Sequence, residues 1–483
     1  MRHILAIDQG TTGTTTILYD ETGAPVKRAY RELPQIYPKP GWVEHDPDRI
    51  WRTVLETVAE LCTGFSGRIT ALGITNQRET TVLWNRRTGE PLHNAIVWQC
   101  RRTADICAGL TEHELLFRRK TGLPLDAYFS GTKIKWLLDK ADPPAPAELA
   151  FGTVDTWLVW KLTEGRTHAT DHTNASRTLL YDIHERAWDP ELCGLLNVPP
   201  EILPEIRNSS AEYGTVTSVP ALAGVPIMGV AGDQQAALFG QACFAPGQVK
   251  NTYGTGCFLM MHTGDRRIES NHGLLTTLAV DGDGRPAYAL EGSVFVAGAA
   301  IQWLRDELGL IESAADSERA ALSVPDTGGV YLVPAFVGLG APHWNMNARG
   351  ILTGLTRGTT RNHLIRAALE AMAHQTADVL ACLENDTGTR IEELAVDGGA
   401  AANNFLMQFQ ADLLDAPVHR PEIIETTSLG AAFLAGLGAG LWKSAAELAD
   451  LKKIERTFTP AMPAMERERL RTDWQHALRQ ALV

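Results

Sequence analysis

Three turns in this 483-residue sequence share one chemistry. They are Asp8-Gln9-Gly10-Thr11-Thr12-Gly13, Asn251-Thr252-Tyr253-Gly254-Thr255-Gly256 and Asp397-Gly398-Gly399-Ala400-Ala401-Ala402-Asn403. Each follows an apolar run and offers small residues whose backbone N–H groups can approach an anion. Glycine removes the Cβ clash, and threonine adds a hydroxyl donor. Any one of them alone reads equally well as a tight strand-end turn. Three together, two of them led by an aspartate, point to a nucleotide. No GxxxxGK[ST] run occurs, so this is not an ordinary P-loop protein. Asp8 is placed to hold Mg2+, directly or through water, because that ion takes one or two carboxylates plus phosphate oxygens. A turn cap is the other reading of Asp8.

A second set of residues suits an acceptor with hydroxyl groups. Arg78-Glu79 follows the apolar run 71–74 and pairs a five-donor guanidinium with an acceptor-only carboxylate, the two partners a polyhydroxyl compound needs. A surface ion pair is the alternative. Asp233, in Ala231-Gly232-Asp233-Gln234-Gln235, stands where the strand expected over 227–230 ends, just before a helix expected over 236–243. A carboxylate there can take the proton of an attacking hydroxyl, or it can cap the helix. Trp98 and Phe258 are candidates for an apolar wall, with ordinary core packing as the alternative.

The elements that must position these residues alternate between strand and helix. Ile4-Leu5-Ala6-Ile7 reads as a buried strand, residues 14–19 as a β-branched strand, and Glu21-Thr22-Gly23 as the hairpin turn that follows. Ile50, Val54, Val58 and Leu61 share one helical face. The pattern is that of an α/β protein with mixed sheets. Leu394 to Gly399 repeats the scheme of apolar strand, aspartate and glycine turn seen at residues 4–10. Residues 429–441 form a small-residue helix suited to close packing. Two related α/β halves meeting near residues 240–250, with a cleft between them, are the expected organisation.

Composition sets the outer limits. The balance of 44 Lys+Arg against 57 Asp+Glu gives a net charge of −13, which excludes a general binder of nucleic-acid backbones. Seven scattered cysteines with no CxxC argue against a disulfide framework or a structural zinc site and fit a reducing cytoplasm. The aspartate at position 8 interrupts any apolar signal region. Residues 431–442 fall short of the roughly 20 residues a membrane span needs, so no membrane insertion is expected.

Beyond these readings, the sequence resembles the FGGY carbohydrate kinases of the actin/Hsp70-like superfamily over nearly its whole length. The matching runs include AIDQGTTGTT (6–15), QIYPKPGWVEHDP (35–47), GITNQRETT (73–81), NAIVWQCRRTA (94–104), YFSGTKIKWLLD (128–139), AGDQQAALFGQ (231–241), KNTYGTGCF (250–258) and VDGGAAANNFLMQFQ (396–410). Residues 128–139 and 354–370 also fit the two general patterns of the family. QRETT, WQCRR and GDQQAALFGQ resemble the branch that phosphorylates glycerol rather than those acting on xylulose, gluconate or fucose.

The resemblance implies an α/β fold of two actin/Hsp70-like (ribonuclease H-like) domains, residues 1–243 and 244–483, with mixed sheets flanking a central cleft. It implies transfer of a phosphoryl group from ATP, with Mg2+, to glycerol, giving sn-glycerol 3-phosphate in glycerol uptake and catabolism. Glycerol would sit on Arg78, Glu79, Tyr128, Asp233 and Gln234, near Thr11, with Trp98 and Phe258 against its carbons. Asp233 would be the general base. The nucleotide would contact Thr11, Thr12, Gly13, Thr255, Gly298, Gln302, Gly399 and Asn403, and Asp8 would support the metal. A homodimer or homotetramer is usual among such proteins.

Two departures stand out. Thr15 occupies a place where many relatives carry arginine, so one cation expected near the transferring phosphoryl is missing. Residues 219–225, where some bacterial members bind fructose 1,6-bisphosphate, contain no basic residue and no histidine. The competing readings are a kinase for another small polyol or ketose and a nucleotide-driven scaffold; the latter has no need of Arg78, Glu79 and Asp233. From the segment 219–225 we expect millimolar fructose 1,6-bisphosphate to leave the rate of phosphoryl transfer unchanged, and a clear inhibition curve would overturn this.

Overall fold

The computed structural model describes residues 2–140 and 143–482. It divides into two compact units. The first takes residues up to Phe244 together with Thr276–Tyr288 and Thr426–Leu451; the second takes Ala245–Leu275, Ala289–Glu425 and the remainder from Lys452.

The first unit is built on a five-stranded sheet. Its spatial order is Ile227–Gly232, Arg68–Asn76, Arg2–Gln9, Gly13–Tyr19, Pro25–Glu32. The first three run parallel, Gly13–Tyr19 runs antiparallel to them, and Pro25–Glu32 pairs antiparallel with Gly13–Tyr19. Alternate residues face opposite sides, as a pleated strand requires. Leu5, Ile7, Leu18, Leu72 and Ile74 therefore cluster with Ile50, Val54, Val58 and Leu61 of the helix Pro47–Cys62. That helix starts with Asp46 accepting from the Asp48 amide and with Pro47 in the first turn. Thr53 and Thr57 bond Thr14 and Thr16, fixing the helix to the second strand.

The opposite face carries a row of small residues. Ala6 lies beside Gly73, and Gly73 beside Gly229. Onto this row packs the small-residue helix Thr426–Gly438, at backbone contact distance. A Cβ on Gly73 would lie 2.2 Å from the Ala431 carbonyl oxygen, and one on Gly229 would lie 2.5 Å from the Ala435 nitrogen. The same helix abuts Asp233–Gly240: a Cβ on Gly430 would fall 1.8 Å from the Ala236 oxygen. That contact sets the height of the helix that begins with Asp233.

In the second unit neighbouring strands follow the order Cys257–Gly264, Val249–Tyr253, Leu394–Asp397, Val418–Pro421, Ile454–Phe458. Val249–Tyr253 forms a hairpin with Cys257–Gly264 and runs parallel to Leu394–Asp397. The core closes around the 27-residue helix Arg361–Thr387, which ends at Gly388 in the left-handed conformation (φ 67°). The expected echo of residues 4–10 is corrected by this pairing. The place of Arg2–Gln9, first strand of a hairpin with a parallel neighbour, belongs to Val249–Tyr253. Leu394–Asp397 instead holds the place of Arg68–Asn76. Among the described residues no helix is long and apolar enough to cross a membrane.

We expect Gly430→Val to lower unfolding stability by about 2–3 kcal/mol through overpacking against backbone. Gly194→Ala, whose Cβ meets nothing within 4 Å, should be close to neutral. Equal urea midpoints for the two variants would contradict the packing described.

Candidate active site

Parallel strands present their carboxyl ends to one edge of a sheet, and ligands of α/β proteins gather there. In the first unit the ends of three neighbouring strands supply the predicted acceptor residues. Asp8 is on Arg2–Gln9, Arg78 and Glu79 follow Asn76, and Asp233 follows Gly232. Two cross-links hold these ends level. The Gln77 amide donates to the Gln9 carbonyl at 2.8 Å, and Gln77 Nε2 donates to the Gly10 carbonyl at 3.2 Å.

Arg78 and Glu79 are 2 % and 1 % exposed, so the surface-pair reading is excluded. Arg78 Nε lies 3.3 Å from Asp233 Oδ1 and 3.8 Å from Glu79 Oε1, and Nη1 donates to Gln235 Oε1 at 3.3 Å. Gly232 makes room for this side chain, because a Cβ there would lie 2.8 Å from both Cγ and Cδ of Arg78. Glu79 Oε1 also accepts from Arg177 Nε at 2.6 Å.

The helix carrying Asp233 spans Asp233–Gly240, three residues earlier than the pattern suggests. Gly232 takes the cap position with extended backbone, so Asp233 enters the first turn. Its Oδ1 accepts from the Gln234 amide at 2.8 Å, and its side chain is 28 % exposed. Beneath it runs a buried polar chain. The Gly232 amide donates to Thr173 Oγ1 at 2.8 Å, Thr173 Oγ1 donates to Asp171, and Asp171 also accepts from Ser209 and Asn174. Gln234 is buried beside Asp233.

The first phosphate-loop candidate closes the hairpin between Arg2–Gln9 and Gly13–Tyr19. A Cβ at Gly13 would lie 2.6 Å from the Arg31 carbonyl oxygen, so the backbone leaves no room for a side chain there. Thr11 Oγ1 accepts from Trp98 Nε1 at 2.9 Å, and the Trp98 ring packs edge-on against Tyr128 with centroids 5.5 Å apart. Thr11, Trp98 and Tyr128 thus form one connected wall, next to the exposed Thr12. Thr15 stands opposite Asp8 in the strand register, where an arginine would set a cation beside that carboxylate. Burial pushes the Asp8 carboxyl up to about 7, and the charge of Asp233 adds to the rise. A carboxyl raised first by burial and then by a neighbouring carboxylate is a group that a hard divalent cation would relieve.

The remaining candidates lie in the second unit. The turn 254–256 docks on the start of the helix Gly298–Asp306, with the Gly298 amide donating to the Gly254 carbonyl and the Ala297 amide to the Thr255 carbonyl. A Cβ on Gly298 would sit 2.6 Å from the Gly254 oxygen, and one on Gly398 (φ 84°) 2.6 Å from the Tyr253 oxygen. The 254–256 turn, the head of that helix and the 398–403 turn therefore converge. Thr255, Gln302 and Gly399 are exposed in that neighbourhood. Asn403 caps the helix Asn404–Leu414, accepting from the Leu406 amide, and donates to Ser317. Phe258 is half-buried on Cys257–Gly264, opposite Thr252. A cavity of about 780 Å3 also lies in this unit, lined by Arg366, Glu370, Asn404, Phe405 and Arg456 among others. None of the predicted site residues lines it, and its Arg366 is already bonded to Glu370 at 2.7 Å.

Residues that the sequence reading passed over are Lys133, Thr173, Asp171 and Arg177. Each is buried and acts on Glu79, Tyr128 or Gly232 from a distant part of the chain. No signal in the sequence singled them out: Lys133, for example, stands among Ser130, Gly131, Thr132 and Lys135.

This fold and site have known kin. The chain belongs to the FGGY family of carbohydrate kinases: the family's N-terminal domain matches residues 3–240 and its C-terminal domain residues 249–439. It is 58% identical to a glycerol kinase of Symbiobacterium thermophilum, covering 99% of this chain and 98% of that protein. Identity to glycerol kinase 2 of Thermotoga maritima is 54%, over 100% of this chain and 99% of that one. Among solved structures, the Plasmodium falciparum glycerol kinase with ADP superposes with a TM-score of 0.92 at 36% identity, covering 100% of this chain and 99% of that one.

Asp155 carries a pH signature of the buried network. Burial, then the neighbouring charge of Asp171, raises its carboxyl from 3.8 to about 7. Between those values the folded state keeps a proton that the unfolded state releases, so stability falls as pH rises through the window. Asp155→Asn removes this contribution. We expect the loss of Tm between pH 5 and pH 8 to be smaller in the variant than in the parent protein; equal losses would refute it.

Proposed function

We propose that the chain transfers the γ-phosphoryl group of ATP to a terminal hydroxyl of glycerol, producing sn-glycerol 3-phosphate and ADP. The observation that carries this reading is the buried arrangement of Arg78 between Glu79 and Asp233 at the ends of the parallel strands. Full-length kinship with glycerol kinases supports it.

Phosphoryl transfer asks the protein for positioning and charge stabilisation more than for covalent chemistry. Arg78 donates to the acceptor's hydroxyl oxygens, Glu79 accepts from a hydroxyl, and Gln234 serves as a further polar partner. Trp98 and Tyr128 cover the carbon skeleton, which limits access of water to the nucleophile. Asp233 takes the proton of the attacking hydroxyl. Its contact with Arg78 orients it towards the acceptor hydroxyl. Thr11, Thr12 and Gly13 offer donors to the phosphates, while Thr255, Gly298, Gln302, Gly399 and Asn403 are assigned to the nucleotide. Asp8 would hold Mg2+, which when bound neutralises phosphate charge. With threonine at position 15, no arginine shares that task from the facing strand. A cytoplasmic homodimer or homotetramer belongs to the same proposal.

The test is an acceptor panel with ATP, combined with Asp233→Asn. Glycerol should be phosphorylated in preference to xylulose and gluconate. The variant should bind glycerol within a few-fold of the parent while turnover falls by about 10²–10⁴-fold. Near-normal turnover would assign the base elsewhere, and ATP hydrolysis indifferent to glycerol would favour the scaffold reading.

A further inference from the structure

Glu79 adopts φ 61°, a left-handed conformation that a residue with a side chain seldom takes. Its surroundings impose it. The Glu79 carbonyl oxygen accepts from Thr81 Oγ1 at 3.1 Å, Ser130 Oγ at 3.0 Å and Lys133 Nζ at 3.2 Å. Its carboxylate is held by Arg177 Nε at 2.6 Å. Lys133 Nζ also donates to the carbonyl of Tyr128 at 2.5 Å. One ammonium therefore ties the acidic partner of the acceptor site to its aromatic wall, although 49 positions separate the two in the chain. Arg177 makes a parallel link: its guanidinium carbon lies 5.7 Å from the Tyr128 ring centre and 5.2 Å from that of Phe129.

The frame that carries these two cations is itself pinned. Lys133 and Ser130 belong to the helix Ser130–Lys140. The Gly131 amide donates to the Thr178 carbonyl at 2.7 Å, and a Cβ on Gly131 would lie 2.6 Å from that oxygen. Lys133 and Arg177 are fully enclosed, at 0 % exposure. Burial pushes the Lys133 ammonium down to about 8 while the charge of Glu79 pulls it back up. A buried charge of this kind is retained where its hydrogen bonds fix a geometry that an apolar residue would not.

We propose that Lys133 and Arg177 are positioning residues that set which polyol the site accepts, by fixing the separation of the Glu79 carboxylate and the Tyr128 ring. The inference rests on the acceptor reading given above. Glycerol offers three hydroxyls, one of which the Glu79 carboxylate can accept from. Propane-1,2-diol lacks one hydroxyl and loses less when the spacing relaxes. A residue of merely structural importance would lower the amount of active protein for both acceptors alike.

Lys133→Met removes the donors and keeps most of the stem; Lys133→Gln keeps an N–H donor. In Lys133→Met the KM for glycerol should rise about ten- to a hundredfold, the scale expected when a substrate partner shifts by around an ångström. The KM for ATP should stay within twofold. The preference for glycerol over propane-1,2-diol in kcat/KM should fall by about tenfold, and Lys133→Gln should recover part of it. An unchanged glycerol KM and an unchanged preference in both variants, with only kcat reduced, would overturn the proposal. Should Lys133→Met not fold, Lys133→Gln decides on the same two readouts. A parent protein inactive on glycerol would instead defeat the acceptor reading itself.

Discussion

The guanidinium of Arg78, closed off from solvent between two carboxylates, is the constraint around which the first unit is arranged. A charge removed from water is tolerated only when its partners are close and fully bonded. Asp233 at 3.3 Å, Glu79 at 3.8 Å and Gln235 at 3.3 Å meet that requirement from separate strand ends. The neighbouring geometry follows from it. Position 232 admits no Cβ, the helix bearing Asp233 must begin at its first turn beside Arg78, and Glu79 needs a second cation, Arg177, to offset the carboxylate that Asp233 adds. Removing one member would unbalance the charges that stay buried.

The same constraint explains how the chemistry separates from the scaffold. Helix Pro47–Cys62 packs leucine, isoleucine and valine against one face of the sheet, an ordinary amphipathic arrangement. On the other face Gly73 and Gly229 leave room for a second helix to approach at backbone distance. Close approach leaves little freedom for Asp233–Gly240 to tilt, so Asp233 is positioned by main chain rather than by flexible side chains.

Much of this was legible in the sequence, for a physical reason. Asp8, Arg78-Glu79 and Asp233 each directly follow an apolar run, and a buried strand must end where its polar successors emerge. What sequence could not supply was environment. Arg78-Glu79 has the same letters on a surface as in a core, and only the pairing of Glu79 with Arg177, 98 positions away, separates the cases. The strand-aspartate-glycine pattern at 394–399 was legible as a strand end but not as a position in a sheet, since position depends on which edges pair. The helix over 426–438 showed its small residues plainly, yet its partner, the row of Ala6, Gly73 and Gly229 on three strands, is set by tertiary contact alone.

That last arrangement has a consequence for biosynthesis. The lining of the amino-terminal sheet is encoded near the other end of the message, so during translation its alanine-glycine face stays bare until the ribosome has passed residue 438. The amino-terminal half is thus an unfinished object for most of its time on the ribosome. Until then Gly73 and Gly229 lack the backbone that lies against them in the finished fold.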